Sequence, residues 1–185
     1  MKLDAAVANV AKVLRAAQIP YIIMGGQAVL QYGSPRLTKD VDVTVGVGIE
    51  EFERVRKAFE GSKFVPVSSN PGKFVRETYV FILEDPKTAV RVDVIFTDLE
   101  FEREAIRRAK TIKVDNTPVA FASIEDLIVQ KIVAGRPRDL EDVAGILAHK
   151  YKLDRDYIEG WLKDFESLLN KRFVPEFKKL CKKFY

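Results

Sequence analysis

Three carboxylates stand out in this 185-residue chain because of the company they keep. Asp40 and Asp42 alternate with Val41, Val43 and Val45, and Asp93 lies between Val92 and Val94. Side chains along a strand point to opposite faces in turn, so the valines share one face and Asp40, Asp42 and Thr44 share the other. Aspartate is depleted in strands, and two in one strand need a reason. Neighbouring carboxylates repel, and a partly buried pair raises one pKa unless a cation neutralises it. Oxygen ligands of this kind suit Mg²⁺ or Mn²⁺. If the Asp93 strand neighbours the first, three carboxylates converge, and two such ions held by them form a clamp for in-line attack on a phosphate. Upstream, Gly25 and Gly26 separate an apolar run from a short helical stretch, where backbone N–H groups approach an anion closely. Each piece also has a plain structural account. The glycines make a tight turn, Asp40 and Asp42 line the solvated face of an edge strand, and Asp93 pairs with Arg91 or Arg76.

The elements that must position these residues follow from periodicity. Residues 3–17 form a helix with Val7, Val10, Ala11, Leu14 and Ala17 on one face. Residues 21–24 read as a buried strand, 27–32 as a helix, Gly33, Ser34 and Pro35 as a turn, and 40–45 as the second strand. An amphipathic helix spans 49–60, with Phe52, Val55, Ala58 and Phe59 inward and Gly61 as its stop. Residues 64–67 form a short strand and 68–73 a polar turn. Strands at 76–83 and 89–96 pair across Asp85-Pro86, with Val90, Val92, Val94 and Phe96 on one face. A helix covers 98–108, and a hairpin joins 111–114 to 118–121. From Ser123, whose spacing to Asp126 is an N-cap signature, only helices follow, at 123–134, 140–150, 154–169 and 174–184. The expected fold is α+β: a mixed sheet flanked by helices over residues 1–122, with a helical module over 123–185 packed on it. Trp161, Phe165, Leu168 and Leu169 read as core. Lys178, Lys179, Lys182 and Lys183 read as a solvated face, and His149 as a cation at a helix end.

A strand, Gly25-Gly26, a short helix, Asp40-x-Asp42 and a later Val-Asp93-Val together resemble the nucleotidyltransferase superfamily typified by DNA polymerase beta. The closer likeness is to the minimal nucleotidyltransferases and the AbiEii-type toxin branch. There a Gly-Gly-x-Ala start and an Arg-x-Thr-x-Asp-x-Asp strand are typical, matched by Gly25, Gly26, Ala28, Arg36, Thr38, Asp40 and Asp42. A later Lys and an Arg-x-Arg-Asp-x-x-Asp run are matched by Lys131, Arg136, Arg138, Asp139 and Asp142. Many superfamily members carry Ser directly after the first glycine; here Gly26 and then Gln27 follow. The resemblance implies an enzyme that moves an NMP unit from an NTP to a hydroxyl. In it Asp40 and Asp42 hold one Mg²⁺ (or Mn²⁺), Asp42 and Asp93 a second, and Asp93 orients or deprotonates the acceptor. It implies that Gly25 and Gly26 cradle phosphate oxygens, with Arg36, Lys131 and Arg138 as further nucleotide-binding candidates. Lys131 is equally well read as a solvated helix lysine, and Asp139 and Asp142 as partners of nearby arginines. The acceptor classes implied are an RNA end such as tRNA, a protein or a small molecule, with a cognate antitoxin as partner. Two alternatives stay open: transfer of the γ-phosphoryl group, and a nucleotide-binding module without catalysis.

Composition narrows the rest. Net charge is +4 with a pI near 9.1, compatible with nucleotides or RNA. The single cysteine, Cys181, excludes an internal disulfide framework, and with one histidine a zinc site lacks ligands. No apolar run reaches membrane-spanning length, and Asp4, Asn9 and Lys12 interrupt any signal-peptide core. The expectation is a cytoplasmic protein with no membrane partner. Charged residues at 31% with few Cys and Met lean towards a heat-stable one.

Overall fold

The computed structural model describes residues 2–33, 37–97 and 99–185. The turn expected at Ser34 and Pro35, the phosphate-contact candidate Arg36, and Asp98 lie outside them. The described residues build a mixed sheet with helices before, between and after its strands, the α+β architecture expected. They fall into two compact units, Met1–Gln27 with Leu37–Ala122 and Ala28–Arg36 with Ser123–Tyr185. The division therefore falls inside the helix α2 (Gly25–Tyr32).

The first unit holds the sheet. Its strands are β1 (Tyr21–Ile23), β2 (Asp40–Val45), β3 (Val65–Pro66), β4 (Val80–Asp85), β5 (Val90–Phe96), β6 (Lys110–Val114) and β7 (Thr117–Phe121). The spatial order is β3-β4-β5-β2-β1-β7-β6. Strand β2 runs parallel to β5 and antiparallel to β1, while β1 meets β7 in parallel through Ile23 and Phe121. The valines and phenylalanines of β2, β4 and β5 explain the placement. Val41, Val43, Val45, Phe81, Leu83, Val92, Val94 and Phe96 are all buried. Helices α1 (Lys2–Ala16) and α3 (Phe52–Phe59) add Val10, Leu14, Val55 and Phe59, also buried. The rings of Phe52 and Phe81 meet edge-on at 5.3 Å, the arrangement that the aromatic quadrupole favours. Residues Ile22, Met24 and Ala122 pack with Ala105 of α5 (Glu100–Arg107).

One expectation fails between β3 and β4. Residues 71–78 form neither a turn nor the start of a strand but a helix, α4 (Pro71–Thr78). Asn70 caps it: its side-chain oxygen accepts from Lys73 N at 3.1 Å. Pro71 fills the first helical position, where the missing N–H costs nothing, and Tyr79 closes the C-terminus in a left-handed conformation (φ 59°). The Asn-Pro-Gly run that suggests a turn is here a helix start. Strand β4 begins only at Val80.

The second unit gathers α6 (Ile124–Ala134), α7 (Pro137–Ala148), α8 (Arg155–Leu169) and α9 (Val174–Phe184). Ser123 caps α6 as expected, accepting from Asp126 N at 3.2 Å. Helix α7 starts at Pro137, three residues before the expected Leu140. Leu168 and Leu169 are not core: they are 67% and 44% exposed, and α8 buries Ile158 and Leu162 instead. Asn170 in the left-handed region ends α8 directly after them. Among the described residues no helix is long and apolar enough to cross a membrane.

Candidate active site

Register decides whether the acidic residues meet. In the parallel pair β2–β5, Asp42 lies opposite Asp93 and Asp40 opposite Arg91. Register partners on adjacent strands share a face, so Asp40, Asp42, Asp93 and Arg91 all leave the sheet on the side away from the buried valines. Burial grades along β2: Asp40 is exposed, Asp42 half-buried, and Thr44 on the same face fully buried. This is not the uniformly solvated face of an edge strand, since β2 is flanked by β1 and β5.

Gly25 closes the other side. The strand β1 ends next to β2, where Met24 N donates to the Asp42 carbonyl at 2.9 Å. The chain then turns at Gly25, with φ 57°, directly into α2. A Cβ at position 25 would overlap the Asp42 carboxylate. The glycine therefore answers two demands at once, a left-handed backbone and the close approach of a charged side chain. Gly26, buried, is the second residue of α2. The first N–H groups of a helix have no internal partner, and its dipole favours an anion there. Next comes Gln27, 4% exposed, whose side-chain nitrogen has no hydrogen-bond partner among the described residues. A buried amide donor left idle is costly. In the sequence nothing marks Gln27 beyond its place after the glycines.

The second residue that sequence reasoning underweights is Arg91. Its Nε donates to Asp93 Oδ1 at 2.6 Å and its second guanidinium nitrogen to Oδ2 at 3.0 Å. The hydrogen bond from Arg91 to Asp93, followed by the charges of Asp93, Asp40 and Asp42, lifts the guanidinium above its ordinary range. The plain account of Asp93 as an ion-pair partner of Arg91 thus describes its present contact, while the register brings it into the acidic cluster. Among the described residues no three His, Cys, Asp or Glu side chains are assembled as a ready cation cage. Both Asp93 oxygens are turned to Arg91 instead. The donor set still fits a hard dication: three carboxylates on one sheet face, and a glycine that leaves room for one of them.

Lys131 and Arg138 belong to the second unit. Arg138 is exposed on α7. Lys131 is not the solvated lysine that is one reading of its sequence. It is 6% exposed, with Nζ at 2.7 Å from Asp139 and 2.8 Å from Asp142. The Asp142 contact is an ion pair without well-directed hydrogen-bond geometry. Arg136 adds a bond to the other Asp139 oxygen at 2.7 Å. Burial pushes the Asp139 carboxyl up, but the bonds from Lys131 and Arg136 outweigh it and hold the group below its usual range. The partners expected for these aspartates are arginines; the main one is a buried lysine. A sequence signal exists in the i, i+3 spacing of Asp139 and Asp142, but nothing local places Lys131 on the preceding helix against them.

A mixed sheet with paired aspartates on a central strand beside a glycine turn and helix N-terminus is the frame of the nucleotidyltransferase fold. Solved structures share the overall fold. An antigenic nucleotidyltransferase-like protein from Paracoccidioides brasiliensis superposes with a TM-score of 0.59 at 19% identity, covering 97% of this chain and 92% of its own. The antibiotic-resistance factor ANT(2'')-Ia gives 0.61 at 15% identity, over 91% and 94%. The lincosamide antibiotic adenylyltransferase LnuA, lincomycin-bound, gives 0.50 at 12%, over 74% and 91%. No curated protein shows significant sequence similarity to the chain. Residues 15–177 match the family model described as nucleotidyl transferase AbiEii toxin, type IV toxin–antitoxin system. The chain belongs to this AbiEii nucleotidyltransferase family.

Proposed function

We propose that this chain is a divalent-cation-dependent enzyme that transfers an NMP unit from an NTP to a hydroxyl acceptor and releases pyrophosphate. The observation that carries the reading is the β2–β5 register, which sets Asp42 beside Asp93 with Asp40 two residues along and Gly25 against Asp42. Asp40, Asp42 and Asp93 would hold Mg²⁺ or Mn²⁺, which when bound supplies positive charge to the phosphates and the leaving group. Asp93 orients the acceptor hydroxyl and takes its proton as the new oxygen–phosphorus bond forms. The bond from the α-phosphorus to the bridging oxygen breaks, and the electron pair leaves with pyrophosphate. The amides at the start of α2, from Gly25 and Gly26, cradle phosphate oxygens. Arg36, Lys131 and Arg138 stay nucleotide-binding candidates by resemblance, Lys131 being engaged by Asp139 and Asp142.

The acceptor is proposed by class. A type IV toxin family and a net charge of +4 favour a macromolecule, tRNA before protein, and a cognate antitoxin as the partner in the cell. One similar structure holds ANT(2'')-Ia in complex with adenylyl-2''-tobramycin, which makes a small-molecule hydroxyl the next class to test.

The experiment is incubation with each α-labelled NTP, Mg²⁺ and total RNA or lysate, with γ-labelled NTP in parallel. Label from the α-position should enter an acceptor and vanish in Asp42→Ala and Asp93→Ala, whose removal of charge from the reacting centre costs on the order of a hundred-fold or more. Transfer of the γ-label instead would make the protein a phosphotransferase. NTP and Mg²⁺ binding that survives both substitutions, with no turnover, would make it a binding module.

A further inference from the structure

We propose that Arg91 is the built-in counter-ion of the acidic site, occupying Asp93 until a divalent cation takes its place. The inference rests on the cation reading above and adds a residue that this reading does not use. Arg91 precedes Asp93 by two positions on β5, so both side chains leave the same face. The register sets it opposite Asp40, one step from the Asp42–Asp93 pair. Its guanidinium meets Asp93 as a fork, one nitrogen to each carboxylate oxygen. In that geometry both oxygens are engaged, and Arg91 must let go before either can ligate a cation well.

The arrangement answers a physical need. Three like charges on one sheet face are costly while nothing neutralises them. A guanidinium is weakly hydrated and shaped to grip a carboxylate, so it fills that role better than an ammonium. It is also easy to release. The Arg91 side chain is 45% exposed and that of Asp93 is 21% exposed, and a half-exposed pair of this kind contributes at most about 1 kcal/mol. Once released, the long side chain has open solvent to move into and a positive charge to offer beside the incoming phosphates. The pair thus offsets one of the three charges at rest and yields to a group of higher charge.

The test is a titration of wild type, Arg91→Gln and Arg91→Lys with Mn²⁺ alone, with free Mn²⁺ read by electron paramagnetic resonance. Thermal unfolding with and without Mn²⁺ is measured in parallel. Arg91→Gln should bind Mn²⁺ about five-fold more tightly, the upper end for loss of a half-exposed pair. Arg91→Lys keeps the charge but not the fork, and should show most of the same gain. Mn²⁺ should also raise the unfolding temperature of Arg91→Gln more than that of wild type, because Asp93 in the variant begins without its guanidinium. Wild-type affinity in Arg91→Lys beside a gain in Arg91→Gln would mean charge at a distance, and would overturn the proposal. So would unchanged affinity in both variants while wild type binds and Asp42→Ala does not; the cation reading would then survive alone. No Mn²⁺ binding by any of the three proteins would remove both readings together.

Discussion

Gly25 shows how much one position can carry. Its φ of 57° is a conformation that residues with a Cβ rarely adopt, and the Asp42 carboxylate fills the space a Cβ would need. Gly25→Ala should cost about 1–3 kcal/mol of strain and displace Asp42 besides. Nucleotidyl transfer should fall further than the unfolding midpoint suggests, a split that parallel activity and denaturant measurements can read. Lys131 is the opposite case, a charge whose surroundings are finished. Lys131→Met leaves Asp139 and Asp142 buried without their shared cation, and breaking a buried pair this way costs about 3–5 kcal/mol. The Asp139 carboxyl is held below its ordinary range in the folded protein. Its contribution is therefore complete above the unfolded value of about 3.9 and is lost as pH falls below that through the lowered folded value. Urea midpoints of wild type and Lys131→Met should lie furthest apart near pH 7 and draw together as pH falls, because burial without Lys131 raises the carboxyl and its protonation relieves the variant. A gap that keeps its size at pH 2 would deny the ion pair its role.

Among elements, α4 is the one that pattern reading misjudges. Residues 71–78 carry the polar, glycine-containing start of a loop, and the apolar run Tyr79 to Leu83 draws the expected strand back to Arg76. The cap decides otherwise: Asn70 accepts from Lys73 N, Pro71 preorganises the first turn, and buried Val75 anchors the helix. Asn70→Ala should cost about 1 kcal/mol and unfold α4 ahead of the sheet. Hydrogen exchange would show Phe74 and Val75 amides losing protection while those of β5 keep theirs. Equal loss in both would mean α4 is not a separate weak point. The β2 strand is legible for the reverse reason. Its alternation matches the burial along Asp40–Val45 on the valine face, and a period of two is hard to mistake when every second residue is Val.

At the scale of the molecule, contiguity in sequence and membership of a compact unit part company. Ala28–Arg36 groups with Ser123–Tyr185, although nearly ninety residues intervene by numbering. A fragment ending at Ala122 keeps every strand of the sheet yet leaves residues 28–36 without the helices they group with. It should unfold with a broader, less cooperative transition than the whole chain, followed by circular dichroism in urea. A transition as sharp and as late as that of the full protein would show that the division has no energetic weight. The family assignment works at this scale as well. It covers residues 15–177, taking in both units, so the helices of the second unit belong to the family pattern as much as the sheet does.

The sequence by itself determined the local chemistry: which residues carry charge on a strand, where glycine permits a sharp entry into a helix, and the cap of Ser123. These follow from rules that act within a few residues. Only the tertiary structure decided that β2 lies between β1 and β5, so that Asp93, fifty-one positions after Asp42, becomes its neighbour. It chose Arg91 over Arg76 as the partner of Asp93, and it alone sealed Lys131 against Asp139 and Asp142. The reason is that strand order and register are set by burial of the whole sheet. A charge's partner is whichever opposite charge that packing brings within reach, and no local pattern encodes the distance between them.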